Sequence, residues 1–348
     1  MTLITRKPTG KMAPPVVLLE GDEGAGKSWA AAELSASEKV GRTIWLQVGE
    51  VTADEYGQIP NVRYEIAEHD GTWRGIYGVV CDAKEEAGNA RKRGEKPMVL
   101  VIDTVGAIWE LLSEWANNRA KETKSNKAKL AADPNAEIDV TANFWNDANA
   151  RWRKLMTAVL TFPGIVILLS RGRETALIGR DGRPVLGQKD YRVDGQKNLA
   201  FDVPAWVRMT RGGNPVLVKL RSVRNGIQPG ERPQGMPGFT LEKFIFERLG
   251  YDPRTAEDRQ VIPLAAGSDA PLSEHAAVIE LAVNAAETMA QLRQAYDKIE
   301  PAVTAGEITE PEQKYLFALI NQRKPQMTDA NPTAPQGEQP TEQVPAAA

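Results

Sequence analysis

The chain alternates between short apolar runs and longer segments in which apolar and polar positions mix. Six runs have the length of buried strands and are rich in β-branched residues: 16–20, 43–48, 98–103, 164–170, 206–210 and 215–221. Near-continuous apolar runs of this kind are typical of parallel strands that are covered on both faces. Residues 144–162 have apolar positions at helical spacing, which predicts a helix packed on the sheet. The pattern predicts an α/β fold with a mostly parallel central sheet flanked by helices.

The pattern changes after residue 250. Residues 271–326 are rich in alanine at helical spacing, with breaks near Pro301 and Gly306, and this predicts a small helical C-terminal module. Residues 327–348 contain three acids and no base among Pro, Gln, Ala and Thr, a composition that predicts a disordered tail. The remaining boundaries that we expect are a flexible N-terminus at 1–13, a main domain at 14–252 and a linker at 253–270.

Composition narrows the class of protein. With 348 residues, 42% of them hydrophobic, the chain can form one large core and a smaller one, and its formal net charge of −3 gives no overall signature of a nucleic-acid binder. A single cysteine, Cys81, excludes an internal disulfide, and His69 and His275 form no zinc-binding pattern. We find no long apolar run and no apolar signal segment at the N-terminus, so we expect a soluble, cytoplasmic protein.

The run EGDEGAGKSW at 20–29 carries the clearest chemistry. It satisfies the P-loop (Walker A) pattern G-x-x-x-x-G-K-[ST], between a predicted strand and a predicted helix. The glycines allow backbone N–H groups to surround phosphate oxygens, Lys27 reaches the β- and γ-phosphates, and Ser28 supplies a magnesium ligand. A flexible turn without a ligand is the alternative. The predicted nucleotide-binding residues are Gly21, Asp22, Glu23, Gly24, Ala25, Gly26, Lys27, Ser28 and Trp29.

A P-loop needs a second carboxylate to hold Mg²⁺, usually at the end of a neighbouring strand. Asp103 follows the apolar run MVLVID and is the predicted Walker B residue, although it could instead cap the next helix. Residue 104 is threonine, whereas many P-loop ATPases place a catalytic glutamate there. Glu50, just after the second apolar run, is the best candidate for the base that orients water, and an exposed loop glutamate is the alternative.

The order of these motifs resembles the RecA-like ATPase core. In that family the catalytic glutamate ends the strand after the P-loop helix, with an aspartate and an aromatic residue downstream, and Glu50, Asp54 and Tyr56 match this pattern. The chain looks most similar to phage-encoded RecA-like ATPases of the annealing and recombination type, over about residues 14–250. The resemblance implies a RecA-like P-loop NTPase core at 14–252, ATP and Mg²⁺ as cofactors, and self-association into a ring or filament.

The same resemblance implies roles for bases late in the core. Lys219, Arg221 and Arg224 form a K-x-R-x-x-R series similar to that of hexameric relatives, where such groups reach the γ-phosphate of a neighbouring subunit. Strand alternation places Lys219 and Arg221 on one face, although a solvated strand face is an equal alternative. The family's polar sensor of the γ-phosphate after the fourth strand is replaced by Ser170 and Arg171. Arg171 can contact phosphate directly from this position, but the replacement leaves open which of the two residues senses the γ-phosphate and how hydrolysis and DNA binding are coupled.

RecA-like proteins hold DNA with two loops, and both corresponding segments here are basic. Residues 119–129 contain five bases and one acid, and residues 171–198 contain seven bases and four acids. Solvated charge runs are the alternative, and DNA binding through these residues should weaken steeply with salt. The predicted DNA-binding residues are Lys124, Lys127, Lys129, Arg171, Arg173, Arg180, Arg183, Lys189 and Arg192.

These features predict an ATP-binding and hydrolysing RecA-like protein that acts on single-stranded DNA in phage recombination, annealing or replication. Its catalytic groups would be Lys27 and Glu50, with Lys219 and Arg221 supplied by a neighbouring subunit. One alternative is a nucleotide-gated module that recruits a replication or recombination partner through its C-terminal helices, with little turnover. A RecA-like helicase and, less favoured, a P-loop kinase are further alternatives.

Overall fold

The computed structural model describes residues 5–178, 183–223, 225–228, 230–261 and 272–324. The chain divides into two compact units, Met1–Val261 and Ile262–Ala348. The predicted disordered tail at 327–348 and the second half of the predicted linker, 262–270, lie outside the described residues. Among the described helices, none is long and apolar enough to cross a membrane.

A single sheet forms the centre of the first unit. Its strands follow the order β3-β2-β4-β5-β1-β7-β8-β9, and β6 pairs with β5. The pairs from β3 to β7 are parallel, whereas β5–β6, β7–β8 and β8–β9 are antiparallel. The strands are β1 (Val16–Gly21), β2 (Thr43–Gln47), β3 (Tyr64–Ala67), β4 (Val99–Asp103), β5 (Ile165–Ile178), β6 (Pro184–Val193), β7 (Ala205–Met209), β8 (Val216–Leu220) and β9 (Gln234–Gly235).

Helices cover both faces of this sheet. Because successive strand residues point to opposite faces, Leu18 and Leu100 belong to one apolar core, while Val17 and Val101 belong to the other. The first core includes residues of α2, α3 and α5, and the second includes α1 and residues from 241–256. The helices of this unit are α1 (Lys27–Ser35), α2 (Trp73–Lys92), α3 (Val105–Lys121), α4 (Lys124–Ala132), α5 (Ala142–Leu160) and α6 (Leu199–Asp202). The predicted α/β class is confirmed.

Strand β5 extends beyond the sheet. Its first half pairs with β1 and β4, and from Gly172 onward it pairs with β6 as an antiparallel hairpin. We call residues 172–193 the basic hairpin. Its base is fixed to the sheet, because the Asp194 N–H donates to the Arg171 carbonyl at 2.9 Å and the Ser170 hydroxyl donates to the Asp194 carbonyl at 2.7 Å.

Residues on either side of the core pack onto the first unit. Lys11 forms an ion pair with Glu257 at 2.6 Å, within the segment expected to be a flexible N-terminus. Arg259 donates to the carbonyl oxygens of Pro14 at 2.7 Å and Leu160 at 3.2 Å. Residues 253–261, expected at the start of the linker, are therefore attached to the first unit by these contacts.

The second unit contains four helices within its described residues. They are α7 (Glu274–Ala285), α8 (Met289–Tyr296), α9 (Ile299–Thr304) and α10 (Glu310–Arg323). Their apolar faces form a separate core that includes Ile279, Leu292 and Leu316. The Glu312 carboxylate accepts hydrogen bonds from the Thr309 N–H at 2.7 Å and the Ser273 N–H at 2.6 Å, and so joins the starts of α10 and α7.

Candidate nucleotide site

The P-loop links the end of β1 to the start of α1. At Gly21 a side chain has no room, because a Cβ there would lie 1.8 Å from the Met209 carbonyl oxygen on the neighbouring strand. Gly26 precedes α1 with φ 86°, a left-handed conformation that favours glycine. The helix start has no side-chain cap, so its N–H groups remain available to an anion.

Lys27 lies over this loop. Its ammonium donates to the carbonyl oxygens of Gly21 at 2.8 Å and Asp22 at 2.7 Å. Burial lowers its pKa, and the nearby carboxylates, of which Asp103 has the largest effect, oppose that shift. A bound phosphate would offer Lys27 a stronger, charged acceptor in place of the two carbonyls.

Ser28 and Asp103 meet beside the loop. The Ser28 hydroxyl donates to Asp103 Oδ2 at 3.2 Å, across 75 positions of sequence. Asp103 is buried at the end of β4, and burial raises its pKa to about 6, with the Glu50 carboxylate adding to the effect. Asp103 is not the cap of the next helix. Thr104 caps α3, and its hydroxyl oxygen accepts from the Ala107 N–H at 3.3 Å.

These oxygen groups fit a magnesium ion. Mg²⁺ prefers oxygen ligands and usually keeps several waters beside one or two carboxylates and the substrate phosphates. Ser28 and Asp103 supply a hydroxyl and a carboxylate, and a cation beside the buried Asp103 would offset the burial that raises its pKa. Within the described residues no group of three His, Cys, Asp or Glu side chains could hold a metal, so phosphate oxygens would have to complete the coordination.

Glu50 lies at the same edge of the sheet. The Val48 N–H donates to the Asp103 carbonyl at 2.5 Å, and the Thr104 N–H donates to the Val48 carbonyl at 2.9 Å, so the ends of β2 and β4 are joined. The Gln47 side-chain amide donates to the Glu50 carbonyl. This places the Glu50 carboxylate close enough to Asp103 to raise its pKa.

Arg171 is the partner of Glu50. Its Nη2 lies 2.7 Å and its Nε lies 3.3 Å from Glu50 Oε1. The sequence placed Arg171 among the DNA-binding residues and also at a position from which it can contact phosphate; the structure places its side chain against Glu50. No local signal predicts this contact, because the two residues are 121 positions apart.

Tyr56, a downstream residue of the glutamate motif, lies on a short 3₁₀ turn. Tyr56 stacks on the buried Trp45 at 6.4 Å between ring centroids. Asp54 precedes the turn Glu55–Gln58. The stacking of Tyr56 on Trp45 therefore holds the segment after Glu50 against the sheet.

Glu20 is a site residue whose role the sequence did not predict. It is fully buried, and its Oε2 accepts from Trp206 Nε1 and from Arg208 Nε, each at 3.0 Å. Among the residues that the structure describes, its Oε1 has no hydrogen-bond partner, and it lies against Gly172. The sequence signal for this role was an acid near the end of an otherwise apolar strand. Glu20 joins β1 to β7 directly before the P-loop.

Two more side chains border the loop. Arg211, after β7, has its Nε 4.0 Å from the position of a Cβ at Gly24. Trp29 is 51% exposed on the first turn of α1, beside the predicted phosphate site. Arg211 is a cation that the sequence pattern alone did not single out.

Lys219 and Arg221 lie away from the P-loop of their own chain. The Lys219 ammonium donates to the carbonyls of Ala200 at 2.8 Å and Phe201 at 2.7 Å, and Arg221 Nη2 donates to Phe201 at 2.5 Å. Burial lowers the pKa of Lys219 to about 8, and Arg221 adds to that shift. The structure thus brings these two bases together, as the alternation of strand residues predicts. Arg224 lies outside the described residues.

The predicted DNA-binding residues fall into two separate groups. Lys124, Lys127 and Lys129 are exposed on α4, where Lys127 pairs with Glu122 at 2.6 Å. Arg183 and Arg192 are exposed on the basic hairpin. Arg180 lies outside the described residues, as do the side chains of Arg173 and Lys189.

A P-loop between a buried parallel strand and a helix, with a serine–aspartate pair beside it, defines a P-loop NTPase of the α/β class. The chain belongs to the AAA domain family, whose model matches residues 13–210, more than half of its length. The matched region contains Lys27, Glu50 and Asp103 and ends before Lys219. A comparison with curated proteins finds no match.

Two solved structures show similarity to the chain. One is a DnaB-like replicative helicase, described with its interactions with primase, at 14% identity and a TM-score of 0.33; the match covers 61% of this chain and 53% of that one. The other is the RadB recombinase, at 16% identity and a TM-score of 0.28, covering 65% of this chain and 86% of that one. The chain thus spans about half the length of the helicase.

Proposed function

We propose that the chain binds ATP with Mg²⁺ at the nucleotide site and hydrolyses it. The observation that carries this proposal is the meeting of Ser28 and Asp103 at 3.2 Å beside the P-loop. Glu50 is held at the end of the adjacent strand, so a phosphate ligand, a metal ligand and a base share one edge of the sheet. Nucleoside triphosphate hydrolysis needs all three.

Each group has a distinct role in this reaction. Backbone N–H groups of the P-loop bind the phosphates, and Lys27 neutralises charge on the β- and γ-phosphates. Ser28 and Asp103 hold Mg²⁺, which when bound supplies positive charge to the phosphate oxygens. Glu50 accepts a hydrogen bond from the attacking water and orients it toward the γ-phosphate.

Lys219 and Arg221 serve the site of a neighbouring subunit in this proposal. They lie on and directly after β8, which is separated from the P-loop strand by β7, and they contact the end of α6 rather than their own P-loop. A cation supplied by a second copy would stabilise charge in the transition state and make hydrolysis depend on assembly. The proposed assembly is a ring or filament with ATP between subunits.

Single-stranded DNA is the proposed polymer on which the assembly acts, in phage recombination, annealing or replication. The supporting observation is that α4 and the basic hairpin both present exposed bases, three on α4 and at least two on the hairpin. The net charge of the whole chain is negative, so any binding of nucleic acid depends on such local patches.

One observation favours a second function. Arg171 holds Glu50 Oε1, so one of the two acceptor oxygens of the proposed base is already engaged in this arrangement. A nucleotide-gated module, in which ATP binding controls partner recruitment with little turnover, would fit a site that remains in this state.

ATP hydrolysis by the full chain, with and without single-stranded DNA, separates the two functions. We expect Mg²⁺-dependent turnover that DNA stimulates and that falls on the order of a hundredfold in Lys27→Ala. As a control, Lys39→Ala removes an exposed lysine outside the P-loop and should retain parental turnover. ATP binding without turnover in the parent, with and without DNA, would support the second function.

A further inference from the structure

Arg171 occupies a junction between the nucleotide site and the basic hairpin. In the sheet it lies beside Gly21, the first P-loop residue, and the next residue of its strand, Gly172, begins the hairpin pairing with Val193. Its side chain is 54% exposed, and that of Glu50 is 28% exposed. The cation is therefore accessible to a ligand that enters over the P-loop.

The Glu50–Arg171 pair conflicts with the role of Glu50 in the proposed hydrolysis. Oε1 of the carboxylate receives both guanidinium contacts, at 2.7 and 3.3 Å. A base that orients water must accept a hydrogen bond from that water instead. Arg171 thus holds one of the two acceptor oxygens and fixes the direction of the carboxylate, so its removal would free Oε1 for water. A partly exposed ion pair is weak enough to be exchanged.

We propose that the terminal phosphate of a bound nucleoside triphosphate draws Arg171 away from Glu50. A guanidinium binds phosphate with two parallel hydrogen bonds, and a γ-phosphate carries more charge than one carboxylate. Arg171 then contacts the γ-phosphate while Glu50 becomes free for water. A diphosphate lacks this group and leaves the Glu50–Arg171 pair intact. This inference rests on the proposed function and adds a residue that distinguishes triphosphate from diphosphate.

The exchange also reaches the basic hairpin. The Arg171 carbonyl accepts from the Asp194 N–H at 2.9 Å, and the neighbouring Ser170 hydroxyl donates to the Asp194 carbonyl at 2.7 Å. Arg171 thus belongs to the hairpin base through its backbone and to the nucleotide site through its side chain. A ligand on the hairpin and a triphosphate in the site should influence each other's affinity by the same factor.

A purely structural ion pair makes a different prediction from the exchange. If the pair only holds β5 against the loop after β2, removing either partner should change the affinities for triphosphate and diphosphate in the same way. If Arg171 moves to the phosphate, Arg171→Ala removes a phosphate ligand, whereas Glu50→Gln removes the group that competes for Arg171. The two substitutions then change the affinity for the triphosphate in opposite directions and leave the affinity for the diphosphate unchanged.

The test measures the affinity of the full chain for AMP-PNP, a triphosphate that resists hydrolysis, and for ADP, by calorimetry with Mg²⁺. We expect Arg171→Ala to weaken AMP-PNP binding about tenfold to a hundredfold, the effect of losing a charged hydrogen bond. ADP binding should change less than about twofold by the same reasoning. Glu50→Gln should tighten AMP-PNP binding about two- to fivefold, the effect of a lost exposed ion pair.

Two further variants complete the design. Arg153→Ala removes an exposed arginine from α5 and should leave both affinities unchanged. Arg171→Lys keeps the charge but cannot form two parallel hydrogen bonds, so its affinity for AMP-PNP should lie between those of the parent and Arg171→Ala. This variant keeps the test decisive if Arg171→Ala does not fold.

Equal losses for AMP-PNP and ADP in Arg171→Ala, or no loss of either, would overturn the exchange, as would weaker AMP-PNP binding by Glu50→Gln. If the parent chain still hydrolyses ATP and Lys27→Ala does not, these results contradict the Arg171 exchange but leave the proposed function standing. A parent chain that binds neither nucleotide overturns the proposed function together with the inference.

Discussion

Three carboxylates at the carboxyl ends of neighbouring parallel strands have different surroundings. Glu20 is buried and bonded to Trp206 and Arg208. Asp103 is buried beside a serine hydroxyl, with a raised pKa, and Glu50 is partly exposed and paired with Arg171. These surroundings support the proposed roles, in which Glu20 is structural, Asp103 binds the metal and Glu50 orients water.

The first prediction concerns Glu20. Its replacement by alanine leaves the Trp206 and Arg208 donors without their acceptor, so we expect the free energy of unfolding to fall by about 2–4 kcal/mol, with Arg208 partly rehydrated. Tryptophan fluorescence in urea reports on the first unit, because all eight tryptophans precede residue 207.

Two matched variants check the Glu20 result. Glu20→Gln keeps an acceptor at the same place and should lose less stability. Glu33→Ala removes an exposed acid from α1 and should change the free energy of unfolding by less than about 0.5 kcal/mol. A Glu20→Ala variant as stable as Glu33→Ala would show that the buried contacts contribute nothing net.

The second prediction concerns the charge on Lys219. Burial lowers its pKa from 10.5 to about 8, so the ammonium loses its proton as the pH rises through about 8. If the charged form acts on a neighbouring nucleotide, kcat/KM, which reports ionisation of the free enzyme, should fall above that pH. Lys219→Arg stays protonated and should hold its kcat/KM to higher pH. The same alkaline decline in both proteins would contradict the role of Lys219.

The sequence predicts some of these residues better than others. The P-loop is contiguous, and Asp103 directly follows an apolar run, so a local pattern is sufficient for both. The Glu50–Arg171 and Glu20–Arg208 contacts join residues 121 and 188 positions apart. Only the pairing of strands brings these groups together, and no local pattern encodes it.

At the scale of elements, the six predicted strands correspond to observed strands. Strands β1, β2 and β4 are almost wholly buried, whereas β7 and β8 mix buried and partly buried residues. Strand β3 at the sheet edge was missed, since its four residues are all partly exposed and carry little apolar pattern. The basic hairpin at 172–193 was not among the six predicted strand runs. Its second strand, β6, pairs with β5 beyond the part that contacts β1 and β4, so the apolar periodicity that marks a core strand is weak there.

Helix α4 carries the third prediction. Replacing Lys124, Lys127 and Lys129 by glutamine removes three exposed charges from one short helix, so affinity for single-stranded DNA should fall. The slope of log affinity against log salt should decrease by up to about 2, at roughly 0.7 for each phosphate contact. The pairing of Lys127 with Glu122 makes its share the smallest.

Fluorescence anisotropy with a labelled oligonucleotide at several salt concentrations measures both quantities. Replacing Arg153 and Lys154 on α5 removes exposed bases outside the predicted set and should leave the slope unchanged. An unchanged affinity and slope in the α4 variant would exclude this helix from the DNA-binding surface.

At the scale of the whole molecule, the chain combines a P-loop NTPase unit with a second unit that has its own helical core. The family match lies within the first unit. In the proposed assembly, one chain supplies the P-loop, Asp103 and Glu50, and its neighbour supplies Lys219 and Arg221. Hydrolysis would then require the folded site and contact between copies.

The most direct test of ATP hydrolysis at this site is the steady-state turnover of Glu50→Gln beside the parent, under conditions where both bind AMP-PNP. The variant keeps the size of the side chain and removes the base, so kcat should fall on the order of a hundredfold or more while nucleotide binding persists. A Glu50→Gln variant that hydrolyses ATP at the parental rate would contradict the assignment of Glu50 and, with it, the proposed mechanism.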